Sequence, residues 1–427
     1  RGKGNFLCPA PSFLFRQIQL YCNCTLSCHT ILKEVFHMKD FIYDIPTKIY
    51  FGKDQFCHLG EVLAQYGKKV LLVYGGGSIK KIGLYDTIQQ EIQKAGLTCF
   101  EVSGVLPNPR IDKVREGVQV CKEQGIDMVL AAGGGSALDT GKMIAIGACV
   151  DCDPWDFFIK RVPAEKALPI ITIPTLAATG SEMDNVAVLS NPDTDDKRGA
   201  KTMLIQPKVS FLDPETTYTV NAYHTACGAA DILSHTIETY FNPTEGMYLL
   251  DTFMEGLMKT VIRYAPIALK EPNNYEARAN LMWAASWAIN GLFKTCQNQI
   301  WSCHAMEHQL SAYYDITHGL GLAILTPRWL EYCLTEQNVD RYVRFGVNVF
   351  GLDPQQEPLT IAHEAINHLE HFLFTTLGLK STLHEVGIGE EHIPVMAQKA
   401  CSSKGNVIKG FRPLLPEDVV QIYKRCL

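Results

Sequence analysis

Asp231 and His235 stand four apart in a stretch of helical periodicity, so their side chains leave one helix face a turn from each other. His304 and His308 repeat that spacing, and His318 follows after a break at Tyr314-Asp315-Ile316-Thr317. One such pair is ordinary on a helix face; an acid and several histidines gathered within one half of a chain point to a divalent cation. Donors of this kind, hard to borderline and without thiolate, suit Fe(II), Zn or Mn and leave a coordination position open for a substrate oxygen. A cation so held acts as a Lewis acid that polarises a carbonyl for hydride attack. The other histidines (His58, His224, His363, His368, His371, His384 and His392) fall on polar or helical faces and read as solvated or structural.

A hydride needs a carrier, and the glycines supply a place for one. The apolar run Lys69 to Tyr74 ends in Gly75-Gly76-Gly77-Ser78, and Asp127 to Ala132 ends in Gly133-Gly134-Gly135-Ser136. A strand that ends in glycines and opens a helix brings bare backbone N–H groups and a positive helix end to an anion, so a pyrophosphate fits there. Neither loop is a G-x-G-x-x-G fingerprint or a P-loop. Gly133 to Ser136 is the better pyrophosphate site. The first loop bears on the cofactor's phosphate count: free ribose hydroxyls are usually held by an Asp or Glu at such a strand end, which would repel a 2′-phosphate. Gly75 to Lys81 carries no acid, only glycines, Ser78 and two lysines, so NADP(H) is expected over NAD(H).

The elements that must position these residues follow from hydrophobic periodicity. Short apolar runs alternate with amphipathic stretches (84–95, 137–149), and a third run, Pro169 to Ile173, leads into the Thr175–Ser181 loop. This grammar implies a parallel sheet whose ligands bind beyond the carboxyl ends of its strands. After Asp213-Pro214 the β-branched runs stop and long helical patterns take over, at 222–240, 247–265 and 276–293. The expected architecture is an α/β nucleotide-binding domain over residues 38–214 and an all-α metal-binding domain over residues 215–427, with the active site in the cleft between them.

Composition narrows the function further. The chain has 427 residues with 39 Lys+Arg against 45 Asp+Glu, a net charge of −6. No basic stripe interleaves with aromatics, so no nucleic-acid partner is expected, and no apolar stretch reaches the roughly 18 residues of a membrane span. Fifteen scattered cysteines, an odd number, fit a reducing, cytoplasmic setting. Residues 1–37 differ from the rest: Cys22, Cys24, Cys28 and His29 match no usual zinc spacing, and Pro9, Pro11 and Arg16 interrupt any signal-peptide core, so this segment reads as an extension, with Met38 as a natural start. Trp283, Trp287, Phe293 and Trp301 stand near the metal motifs with few Arg or Lys, which favours an apolar substrate.

From Met38 onward the chain resembles the iron-containing (group III) alcohol dehydrogenases, and within them the NADPH-dependent butanol dehydrogenase-like enzymes. The motifs that carry this are Phe41-Ile42-Tyr43-Asp44-Ile45-Pro46-Thr47-Lys48-Ile49-Tyr50-Phe51-Gly52, Gly133-Gly134-Gly135-Ser136-Ala137-Leu138-Asp139, Thr175-Leu176-Ala177-Ala178-Thr179-Gly180-Ser181-Glu182, Ala230-Asp231-Ile232-Leu233-Ser234-His235, and His304-Ala305-Met306-Glu307-His308 followed by His318-Gly319. The resemblance implies Asp231, His235, His304 and His318 as metal ligands and His308 as a neighbour that assists proton movement or cofactor contact. It also implies a pyrophosphate loop at Gly133 to Ser136 with Asp139 nearby, and nicotinamide-side contacts at Thr175, Thr179 and Lys201. NAD-preferring members differ by an Asp where Gly76 stands. The implied fold is a Rossmann-like domain of the dehydroquinate synthase arrangement followed by a helical one, and the implied reaction interconverts short or medium aliphatic aldehydes and primary alcohols. Homodimers pairing edge strands are common in the family, and 47–51 is the segment that would serve. A dehydroquinate synthase-like lyase and an inactive nucleotide-binding relative are the competing readings.

Overall fold

The structure, a computed structural model, describes residues 40–159, 162–244, 246–295, 301–402 and 404–427. Cys22, Cys24, Cys28 and His29 lie outside the described residues. Strand-forming sequence recurs at β1 (Lys48–Phe51), β2 (Lys69–Gly75), β3 (Thr98–Val105), β4 (Met128–Gly133), β5 (Ile170–Pro174), β6 (Val186–Asn191), β7 (Asp196–Lys201) and β8 (Val209–Leu212). Six of these form one sheet in the order β1-β8-β5-β4-β2-β3, every pairing parallel. Parallel strands are covered on both faces, which is why β2 and β4 read as unbroken apolar runs. Leu71, Val73, Val129 and Ala131 point to one layer, packed by α2 (Ile111–Gln124) and α3 (Gly135–Gly147). Val70, Leu72, Met128 and Leu130 point to the other, where α1 (Leu84–Lys94) contributes Ile88 and Ile92.

The expected strand, glycine turn and helix succession is therefore present at both loops. Sequence periodicity did not reveal the antiparallel hairpin β6–β7, inserted between β5 and β8. Its inner strand alternates buried and half-buried residues while β7 is rich in charge, so it lacks a continuous apolar run.

Past β8 the described chain is helical apart from two strands of two residues each. The site is framed by α4 (Ala222–Tyr240), α5 (Tyr248–Lys270), α6 (Tyr275–Ile289), α7 (Cys303–Tyr314) and α8 (His318–Cys333). The break expected at 314–317 is real: α7 ends at Tyr314 through Asp315 in the left-handed region, φ 49°, and α8 begins at His318. Two glycines set the approach of these helices. A Cβ on Gly319 would lie 2.1 Å from the Cys227 carbonyl oxygen, so α8 can start against the backbone of α4. A Cβ on Gly228 would lie 2.3 Å from the Ala177 carbonyl oxygen, so α4 can meet the loop after β5. No helix among the described residues is long and apolar enough to cross a membrane.

Candidate active site

Asp231 and His235 leave α4 toward the point where α7 and α8 begin, and the four expected ligands meet there. The Nε2 atoms of His235, His318 and His304 lie 3.6, 3.7 and 3.9 Å from Asp231 Oδ1. The donor atoms of Asp231, His304 and His318 all fall within 4.8 Å of one another, while His235 is not part of that mutually close group. Donors around a tetrahedral zinc-sized ion are about 3.4 Å apart, so the spacing is close to what such an ion requires. Asp231 Oδ1 and His304 Nε2 are buried and accept or donate no hydrogen bond, a costly state for polar atoms unless something sits between them. Burial pushes the Asp231 carboxyl above its ordinary range and holds the His235 imidazole well below its own, leaving the latter neutral, the form that ligates. This donor set fits a divalent cation.

Two buried acids aim the histidines. Glu238, one turn beyond His235, accepts backbone N–H bonds from Ser302 (2.5 Å), Cys303 (2.7 Å) and His304 (3.1 Å), capping α7 from a neighbouring helix. The same carboxylate takes the His304 Nδ1 proton in a hydrogen bond, which turns Nε2 toward the centre. Glu307 does this for His318 Nδ1. Such carboxylate–histidine pairs fix ring orientation and raise ligand basicity. Glu307 is in turn met by Lys197 from β7, 3.4 Å away, and Lys197 also donates to Asn108 Oδ1 (3.0 Å) and Ser311 Oγ (2.9 Å). Burial alone would raise the Glu307 carboxyl; His318 and Lys197 outweigh it and hold it far below the ordinary range. Sequence reading missed Glu238, Glu307, Lys197 and Asn108. Two of them left a faint signal, since Glu238 and Glu307 each fall three residues after an expected ligand on the same helix, but spacing alone does not say which acids are buried.

His308 lies one turn past His304, its ring centre 6.4 Å from that of His304 and 5.9 Å from that of His318. It stands beside the donor cluster rather than in it and lines the same cavity. Burial holds it well below its ordinary value, so the ring is neutral.

A cavity of about 1530 Å³ runs from the glycine loops to this cluster. Gly75, Gly76, Ser78, Gly133, Gly134, Gly135, Ser136, Asp139, Thr175, Thr179 and Lys201 all line it; Gly77, which caps a short helix, does not. Gly134 is the N-cap of α3, a helix of 13 residues whose positive end faces the cavity. A Cβ on Gly135 would lie 2.5 Å from Thr179 Oγ1, so the glycine lets the loop after β5 close on the turn. Asp139 works from behind: its oxygens accept from Ser181 Oγ (2.6 Å) and Val188 N (2.8 Å), clipping that loop to the β6–β7 hairpin. Burial pushes its carboxyl up to about 6.

One expectation is corrected. Of the four aromatics near the metal motifs, only Trp301 lines the cavity, over His304 and His235 with ring centres 4.7 and 5.6 Å away. Trp283 packs on Phe51 and Trp287 instead, and Phe293 is buried in the helical core. The cavity wall also carries Lys197, Arg198 and Lys201 from β7, Lys294 from the turn after α6 and Lys399 from the helix Ile393–Ser402.

A parallel α/β lobe whose glycine turn opens into a cavity ending at a buried Asp/His cluster is the architecture of a metal-assisted nicotinamide dehydrogenase. Comparison with known proteins agrees. A family model described as iron-containing alcohol dehydrogenase matches residues 46–214, and one described as Fe-containing alcohol dehydrogenase family, C-terminal, matches residues 225–427. NADH-dependent butanol dehydrogenase A of Clostridium acetobutylicum is 48% identical over 388 residues, which cover 91% of this chain and 100% of that one. NADPH-dependent aldehyde reductase YqhD of Escherichia coli is 35% identical, covering 85% of this chain and 93% of its own. The crystal structure of NADH-dependent butanol dehydrogenase A from Thermotoga maritima superposes with a TM-score of 0.87 at 38% identity, over 92% of this chain and 99% of that one. The chain belongs to the iron-containing alcohol dehydrogenase family and is an NAD(P)-dependent oxidoreductase.

Proposed function

We propose that the protein reduces short to medium aliphatic aldehydes, butanal among them, to primary alcohols with NADP(H), reversibly, using one divalent metal, Fe(II), Zn or Mn. The observation that carries this is the single cavity linking the α3 turn to the three mutually close donors of Asp231, His304 and His318, with His235 beside Asp231. Asp231, His235, His304 and His318 hold the metal; Gly75 to Ser78, Gly133 to Ser136, Thr175, Thr179 and Lys201 hold the cofactor, with Asp139 keeping the loop after β5 in place. When bound, the metal supplies Lewis-acid polarisation of the carbonyl and the nicotinamide supplies the hydride. Glu238 and Glu307 keep the two histidine Nε2 atoms directed at the centre. His308, neutral and beside the cluster, moves the proton that the product alcohol requires. Trp301, whose ring lies over His304 and His235, supplies an apolar wall beside the reacting atoms.

Two features support NADP(H). The cavity wall at the end of β2 offers Gly75, Gly76 and Ser78 and no acid. The acid on the neighbouring strand, Glu101, is already engaged by Tyr74 Oη (2.8 Å), Tyr85 Oη (2.6 Å) and Gln89 Nε2 (3.1 Å). The names of the relatives point both ways, to NADH and to NADPH. We also place the protein in the reducing cytoplasm, on the ten cysteines among the described residues, all of them free, and propose a homodimer through β1, which ends the sheet.

The test is NADPH oxidation with butanal before and after chelation, and again after adding Fe(II) or Zn. Activity removed by the chelator and restored by the metal is the expected result; undiminished turnover without bound metal overturns the ligand assignment. Comparable efficiency with NADH, or a preference for it, overturns the cofactor choice.

A further inference from the structure

Lys201 serves the cofactor in the proposed reaction, and Lys294 has no part in it. Lys201 ends β7, and Lys294 ends the short turn Leu292–Lys294 that follows α6. Both border the main cavity and also a second chamber of about 440 Å³. Neither side chain has a hydrogen-bond or ion-pair partner among the described residues. Asp184, the buried acid nearest in charge to Lys294, is already neutralised: Lys142 Nζ lies 2.5 Å from its Oδ1. Asp40 and Asp44 border the smaller chamber but pair with neither lysine.

Lys294 also stands close to the chemistry. Its Nζ is 5.8 Å from the centre of the Trp301 ring, whose other neighbours are His304 and His235. Burial pushes this ammonium down to about 8; Asp184 opposes that effect, and Lys201 and Lys142 add to it. A half-buried cation beside a second cation, one indole away from the donor cluster, gains from an anionic oxygen group.

We propose that Lys294, with Lys201 beside it, forms an anion subsite that seats the far carboxylate of an ω-carboxylated aldehyde. This rests on the aldehyde-reductase reading. The reaction is unchanged: NADPH gives its hydride to the carbonyl carbon, the oxygen takes a proton, NADP⁺ leaves, and the carboxylate stays intact. The same chemistry would also recognise a cofactor phosphate, and the test separates the two sources.

The metal-loaded enzyme is assayed with NADPH on 4-oxobutanoate and on butanal, which share a chain length and differ in charge. Lys294→Met is expected to lower kcat/KM for 4-oxobutanoate by about tenfold or more, chiefly through KM, and to leave butanal within about twofold. Lys294→Arg should restore most of the loss. Equal loss on both aldehydes, no loss on either, or an enzyme that reduces butanal and ignores 4-oxobutanoate overturns the subsite. A weaker Kd for NADPH in Lys294→Met, with both aldehydes falling together, assigns the anion to the cofactor and overturns it as well. Calorimetric titration of succinate into the NADPH complex reads the subsite without turnover, with binding expected to weaken by about tenfold in Lys294→Met. If neither aldehyde is reduced, the aldehyde-reductase reading fails by itself, while absence of succinate binding to the unaltered enzyme overturns the subsite.

Discussion

The two ends of the cavity are built by opposite means. At the cofactor end the walls are backbone: Gly133, Gly134 and Gly135 bring bare N–H groups to the start of α3, and a side chain on Gly135 would strike Thr179. At the metal end the walls are side chains from α4, α7 and α8, each held by a further side chain behind it, as Glu238 holds His304 and Glu307 holds His318. A backbone site needs only a local turn and the absence of Cβ atoms. A side-chain site needs long-range packing to place each donor and buried charge to aim it. The first end should therefore fail by steric intrusion and the second by loss of alignment or charge.

The largest expected effect separates the ends outright. His304→Ala should lose metal and about a thousandfold of turnover, since Lewis-acid stabilisation is worth several kcal/mol, while NADPH binding stays. Metal analysis beside a fluorescence titration of NADPH checks it; loss of NADPH affinity along with the metal would show that the two ends are not independent. Next comes the clip between them. The folded Asp139 carboxyl titrates at about 6, above its ordinary value of 3.8. The fold therefore binds the proton more tightly than the unfolded chain, and this stabilisation, full below the unfolded value, is lost as pH rises through 6. Between pH 4.5 and 7 the loss is about 2 kcal/mol, and Asp139→Asn should flatten that slope in urea melts.

Glu307→Gln sharpens the contrast at the metal end. The amide keeps the shape but not the charge behind His318, and metal affinity should fall about 10- to 100-fold with little change in NADPH binding. A competition titration with a chelator would show it; unchanged affinity would reduce Glu307 to a packing role. Gly135→Ala should do the reverse, weakening NADPH by about tenfold through the contact with Thr179 while the metal stays bound. The smallest change concerns cofactor choice. A Cβ at Gly76 meets nothing within 4 Å, so Gly76→Asp adds charge without a clash. The ratio of kcat/KM for NADPH over NADH should drop several-fold, about 1 kcal/mol of repulsion; an unmoved ratio would count against a 2′-phosphate at that loop.

The same contrast explains what was readable. The glycine loops announce themselves because a strand end, a turn and a helix start are adjacent in the chain, and α4 runs from Ala222 to Tyr240 as its periodicity requires. Asp231 and His235 were readable as a pair because a helix puts residues four apart on one face, whereas the approach of His304 and His318 depends on the packing of α7 and α8 against α4. The hairpin β6–β7 was not, because its charged outer strand has no apolar pattern, and it is this strand that carries Lys197 into the metal site. Trp283 and Lys294 show the same limit from both sides. An aromatic in the stretch before His304 turned away to Phe51, and a lysine from the same stretch came to border the cavity.

By itself the sequence determined the local chemistry: glycine turns at strand ends, Asp and His at helical spacing, and an α/β half followed by a helical half. These depend on backbone sterics and on the periods of strand and helix, which act over a few residues. Tertiary structure decided which acids stand behind the histidines, which cations face the cavity, and that one cavity joins residue 76 to residue 318. Burial and long-range contact govern those outcomes, and neither is a property of neighbours along the chain.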